Sequence, residues 1–198
     1  MHEKLNQNRI AAFKKKDYTK ILKSSVKYFT HFFGYTNQPY LIETELPENV
    51  LMEIGSCGKN FYVLAYDYKK FKKLYADDDF NTNFLWLMMH IAHEMRHYYQ
   101  MRQLHSKHPL EDQALLDEWK NDNETWKMPD DDFTLYDFYL QPMELDAMLF
   151  AYHFIAHKYD ICMPVDMVDK NYIKDLEQHY IRLFGETDKS IFYFDDIQ

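Results

Sequence analysis

Glycine is scarce in this chain. Only four occur in 198 residues (Gly34, Gly55, Gly58, Gly185), and none sits in a run able to wrap a phosphate. Phosphate-binding loops need closely spaced glycines so that the backbone can approach the ligand, so P-loop and dinucleotide-fingerprint chemistry is excluded. Cysteine is rarer still. Cys57 and Cys162 stand far apart without CxxC spacing, which excludes a cysteine metal knuckle and fits a reducing compartment. Long apolar runs are missing as well: the longest, residues 84–89 continuing to Ala92, falls far short of a membrane span. Residues 1–27 are broken by charges every few positions and hold no apolar stretch for a signal peptide. The expectation is a cytoplasmic, soluble protein with no membrane partner.

Basic charge is in deficit, with 23 Lys and Arg against 32 Asp and Glu, a formal net charge of -9. A field of that sign repels nucleic acid, so no nucleic-acid partner is expected. The charge is unevenly placed: residues 1–30 carry +6, 31–109 carry -1, 110–137 carry -8 and 138–198 carry -6. The lysines Lys14, Lys15 and Lys16 and their neighbours read as a solvated helix face. Apolar residues make up 46% and aromatics 18%, ample for one core, so a single domain over 1–198 is expected, with 110–137 as an acidic insert.

Periodicity supplies the elements. Asp17 is a plausible N-cap, and apolar residues then recur at helical spacing from Tyr18 to Phe33, ending at Gly34. Residues 40–46, 50–54 and 60–66, with a Gly-Ser-Cys-Gly turn at 55–58, predict a small antiparallel sheet. Residues 68–75 read as a connection. Thr82 or Asn83 can cap a long helix to about His105, apolar nearly all round at its start and hence central. The 110–137 stretch predicts one short helix plus a surface loop. Pro142 opens a further helix to about Lys158, and 167–184 gives a last amphipathic helix ending at Gly185. The fold class is therefore α+β, mainly helical with a small sheet.

The central helix contains His93-Glu94-Met95-Arg96-His97. Residues four apart in a helix project from one face a turn apart, so His93 and His97 can hold one Zn²⁺ ion. Glu94 lies about 100° from His93, placed to take a proton from a metal-activated water without being a ligand. A catalytic zinc site needs a third protein ligand, and Glu144, in the first turn of the next helix with Ala147 and Ala151 following on its face, is the best candidate. Asp146, His153 and His157 lie about 200°, 180° and 220° from it around the helix and so face elsewhere. His90 reads as a packed or hydrogen-bonded histidine, and Cys57 as incidental. Gln100 and Asp146 are candidates for orienting a ligand, and Tyr136, Tyr139 and Tyr152 for stabilising an oxyanion.

His93-Glu94-x-x-His97 followed by Glu144-x-x-Ala147-x-x-Phe150-Ala151 resembles the gluzincin class of zinc metallopeptidases, and within it the small single-domain members that include the ImmA/IrrE-like anti-repressor peptidases. The likeness covers residues 82–158. It implies a minimal zincin-like fold with a central HExxH helix, His93, His97 and Glu144 as zinc ligands, and Glu94 as general base. It also implies a polypeptide substrate added along a sheet edge strand within 60–66. The chain departs from larger gluzincins at Met148, where they often carry an aspartate.

These residues predict a zinc-dependent endopeptidase, its substrate by resemblance a specific regulatory protein. The alternative is a metal-containing regulatory or interaction protein with little turnover, using the acidic stretch and its Trp119 and Trp126 as anchors for a basic partner. A zinc hydrolase acting on a non-peptide substrate shares the same motif chemistry. The acidic stretch, starting and ending beside the proposed cleft, is expected to act as a cover or selectivity element.

Overall fold

The computed structural model describes residues 2–58, 60–76, 80–129, 132, 134–160, 163–164, 173–185 and 192–193, with the side chains of residues 2–6, 80, 81, 135, 136, 163, 164, 173–177, 192 and 193 outside the description. The protein is α+β and mostly helical with a small three-stranded sheet. Its residues gather into two compact units, 1–107 and 108–198.

The first unit begins with α1 (His2–Lys14), a helix the charge-broken sequence does not announce, because its buried face rests on a few residues such as Ala12 and Phe13. Lys15 and Lys16 form its terminating turn, with Lys16 at φ 53° and its ammonium donating to the Ala76 carbonyl. These lysines end a helix as well as facing solvent. Next, α2 (Tyr18–Phe32) is capped by the Asp17 carboxylate, which accepts from the Lys20 N–H at 3.1 Å. Tyr18, Ile21, Leu22, Val26 and Phe29 are fully buried along one face while Lys20, Lys23 and Lys27 stay exposed. Gly34, at φ 77°, closes the helix: its N–H bonds the His31 carbonyl and the Tyr35 N–H reaches back to Thr30. A left-handed residue here is what lets both orphan carbonyls find donors, and glycine adopts it without a Cβ clash.

The sheet holds β1 (Tyr40–Glu43), β2 (Met52–Ser56) and β3 (Tyr62–Tyr66) in the order β1-β3-β2. The β2–β3 pair is antiparallel as expected, but β1 pairs with β3 in parallel, Tyr40 opposite Val63 and Glu43 opposite Tyr66. Residues 44–51 explain the difference by crossing over the end of β3. The Thr44 N–H bonds the Tyr66 carbonyl, and Asp67 and Lys70 hold the crossing from below. The Asp67 carboxylate accepts from the Leu46 N–H, while the Lys70 ammonium donates to the carbonyls of Leu46, Pro47 and Val50. A second correction follows from the strand order. The 60–66 strand is central, with both edges paired, so it cannot take up an added peptide strand; the edges are β1 and β2.

Asp67 also caps α3 (Tyr68–Leu74), the segment expected as a connection, by accepting from the Lys70 N–H at 3.1 Å. Burial alone would push the Asp67 carboxyl up, but its N–H donors and the Lys70 ammonium outweigh that and hold it below its ordinary 3.8. A depressed folded-state value contributes stability that is complete above the ordinary aspartate range and is lost as pH falls through the lower, folded value. Urea unfolding of Asp67→Asn should therefore show a deficit near pH 6 that shrinks steadily below pH 4; a deficit independent of pH would contradict this account.

The central helix α4 (Phe80–Leu104) starts two residues before Thr82 and packs on α1, α2 and β2. Leu87, Met88, Ile91, Ala92, Met95 and Tyr98 are fully buried on it, as its all-round apolar start predicts.

The second unit comprises α5 (Gln113–Thr125), α6 (Leu135–Tyr139), α7 (Pro142–Tyr159), β4 (Met163–Pro164), α8 (Ile173–Phe184) and β5 (Phe192–Tyr193), the two short strands pairing in parallel. α5, α6, α8 and β4 all pack on α7, which is buried from Met143 through Tyr152. Gly185, at φ 66°, ends α8 where the sequence places the stop. The predicted start of that helix at Met167 lies outside the described residues, as does Cys162. No helix among the described residues is long and apolar enough to cross a membrane.

Candidate metal centre

The helical period brings His93 and His97 together as expected. Their Nε2 atoms are 3.0 Å apart, with rings nearly perpendicular at 84° and both half-buried. Tetrahedral zinc bonded to nitrogen at roughly 2.0–2.1 Å holds two ligand nitrogens about 3.3 Å apart, so this pair is already close to chelating separation. Gln100, a turn further on and fully buried, lies with Oε1 2.7 Å from His97 Nδ1. An amide oxygen only accepts, so Nδ1 carries the hydrogen and donates. The neutral ring then keeps its lone pair on Nε2, the atom facing His93, which is the tautomer a metal ligand requires. Gln100 is thus a positioning residue for His97. Its replacement by alanine should lower affinity for a divalent metal ion about 10–100-fold, measured by competition with a chromogenic chelator, while the helix content stays unchanged.

Glu144 is buried at 7% exposure in the first turn of α7. A nitrogen from each of His93 and His97 and a carboxylate oxygen of Glu144 all lie within 4.8 Å of one another, so the three form a group that can hold a metal ion. Two imidazoles and one carboxylate are a donor set that divalent transition metals accept. Glu94 follows His93 on the same helix and is half-buried.

The start of α7 depends on a residue the sequence does not reveal. Gln141 occupies the N-cap without a side-chain cap bond. Its amide is committed instead to the loop before it, pairing with the Lys127 N–H and carbonyl at 3.0 and 3.1 Å. The open donor at Met143 is taken by Asp122 of α5, whose carboxylate accepts at 2.8 Å while itself buried. A cap supplied from 21 residues upstream leaves no local pattern; only an acid at a buried position of a mostly exposed helix hints at it.

Asp122 also changes the reading of the acidic stretch. Together with Leu115, Leu116 and the fully buried Trp119 it forms the inner face of α5 against α7. Trp119 is therefore core and unavailable as a binding anchor, whereas Trp126 is 45% exposed and meets Phe138 edge to face at 5.8 Å. Part of the stretch expected as a cover is structural.

The remaining candidates separate clearly. His90 lies with Nδ1 3.0 Å from the Tyr75 hydroxyl and its ring 6.2 Å from Trp86. Burial, with help from His93, pushes it down to about 4, so it is a neutral packed histidine. His153 turns to α8, contacting the Tyr180 hydroxyl at 2.5 Å and stacking on Phe184 at 4.1 Å, and the His157 ring lies 4.2 Å from the His153 ring. Asp146 and Tyr152 are buried, and Cys57 is exposed in the β2–β3 turn. Of the tyrosines, Tyr139 is half-buried, and burial followed by the Glu144 charge raises its hydroxyl pKa, so it stays protonated and able to donate. The Tyr136 side chain lies outside the described residues.

No protein-family model, curated protein or solved structure was found to match this chain.

Proposed function

We propose that the chain is a zinc-dependent metallopeptidase of gluzincin type, an endopeptidase with a polypeptide substrate. The observation that carries this reading is the convergence of His93, His97 and Glu144 ligand atoms within 4.8 Å, with Glu94 on the same helix as the two histidines. A divalent ion held by those three side chains would supply Lewis acidity to a water and to the scissile carbonyl. Glu94 would serve as general base toward the attacking water and as general acid toward the leaving amine, carrying the same proton between them. Gln100 keeps the His97 lone pair directed at the ligand position. Tyr139, which burial and the Glu144 charge keep protonated, would be able to donate to a developing oxyanion.

The test has two parts. Metal analysis of protein purified without added metal should find about one zinc per chain, lost in His97→Ala. The metal-loaded protein should then cleave members of a peptide pool, with termini identified by mass spectrometry. Full zinc occupancy with no cleavage would support the other reading, a metal-containing regulatory protein with little turnover.

A further inference from the structure

Near the C-terminal end of α4, on a different face from the histidine pair, an arginine stands in an aromatic box. The Arg102 guanidinium lies 4.6 Å from the Tyr35 ring centroid, 5.6 Å from Tyr62 and 5.9 Å from Tyr98. The box is held by its own polar edges. Tyr35 accepts from the Gln103 amide at 2.6 Å, Tyr62 meets His105 Nδ1 at 2.9 Å, and the Tyr98 hydroxyl donates to the Asn37 carbonyl. Tyr62 and Tyr98 stand edge to face at 5.3 Å, so the walls brace one another.

What the box lacks is a counter-charge. Among the described residues Arg102 has no ion pair, in a chain where acids outnumber bases by nine. Arginine is permanently charged, and Arg102 is half-buried, so part of its charge is withdrawn from water with no acid beside it. Its aromatic neighbours attract the cation through their faces but do not use its planar fork of N–H donors, of which the Tyr98 hydroxyl occupies one. Stacking also fixes the guanidinium in place, so little freedom remains to be lost when an anion docks.

We infer that Arg102, boxed by Tyr35, Tyr62 and Tyr98, is a binding site for an oxyanion that presents two oxygens to the guanidinium fork, a phosphate or carboxylate group of a ligand. The inference is independent of the proposed peptidase chemistry.

The test is NMR titration of the full chain at constant ionic strength, following the Arg102 Nε–H signal, with inorganic phosphate in one arm, acetate in another and chloride as control. The expected result is a saturable shift in the phosphate or acetate arm with a dissociation constant in the low millimolar range or below, and none in chloride. The arm that saturates at the lower concentration identifies phosphate or carboxylate as the natural group. Arg102→Lys, which keeps the charge and loses the fork, should weaken binding at least about tenfold. A linear, unsaturating response of wild-type Arg102 in both arms, or unchanged phosphate and acetate binding in a folded Arg102→Lys, overturns the inference. The wild-type signal decides the matter even where the variant does not fold.

Discussion

Glu94→Gln is expected to retain zinc and to lose peptide hydrolysis by about 10²–10⁴-fold, the range contributed by a positioned general base. Glutamine matches glutamate in size and in backbone preference, so α4 and the histidine pair should be undisturbed. What disappears is the ability to accept a proton. The loss should therefore appear in kcat, with KM nearly unchanged, because a proton transfer is made only on the way to the transition state. His97→Ala should lose hydrolysis and zinc together. The contrast between the two variants separates failure of the base from failure of the ligand set. A Glu94→Gln protein that cleaves at the wild-type rate would remove Glu94 from the mechanism and the peptidase reading with it.

Trp119→Ala is expected to cost about 3–5 kcal/mol of stability, the range for emptying a large aromatic from a core. Trp119 is wholly inaccessible and shares the inner face of α5 with Leu115, Leu116 and Asp122. Its loss leaves a cavity beside the helix that supplies the α7 cap, so Asp122 and the Met143 N–H it holds should loosen as well. Urea unfolding reads the first effect, and hydrogen exchange at the Met143 amide reads the second. Trp126→Ala, at an exposed edge, should change stability by less than about 1 kcal/mol. If the two tryptophans proved equally dispensable, the buried half of the acidic stretch would have no structural role.

The two predictions meet in the organisation of 110–137. From charge alone this stretch is an insert with a net -8, free to cover a cleft. In the folded chain its negative charges divide into kinds. Asp112 caps α5 by accepting from the Leu115 N–H, Asp137 bonds Thr134 reciprocally at the start of α6, and Asp122 is buried at the head of α7. Glu118 pairs with Arg182 of α8 at 2.9 Å. Asp117 and Glu124 lie on the exposed side of α5, Asp117 accepting from the Gln113 amide at 2.7 Å.

Much of the molecule was legible locally. Asp17 and Gly34 bound α2, Pro142 opens α7, Gly185 ends α8, and the spacing of His93 and His97 puts two nitrogens 3.0 Å apart. Each of these depends on stereochemistry within a few residues of itself, through a cap, a fixed φ, a left-handed glycine or the 3.6-residue period, and so is written in the chain at that point. Gln100 belongs with them, because its distance from His97 is a single helical turn. The parallel pairing of β1 was not legible, since alternation of side chains is the same for either strand direction and the 44–51 crossing, held by Asp67 and Lys70, made the choice. Nor were the central place of β3, the burial of Trp119 or the Asp122 cap, because each depends on which distant group arrives to satisfy a backbone donor or cover an apolar face. The sequence by itself determined which side chains share a helix face. Tertiary packing decided which backbone groups and apolar faces were left to be completed from afar, and hence that an acidic stretch is in part the core of its unit.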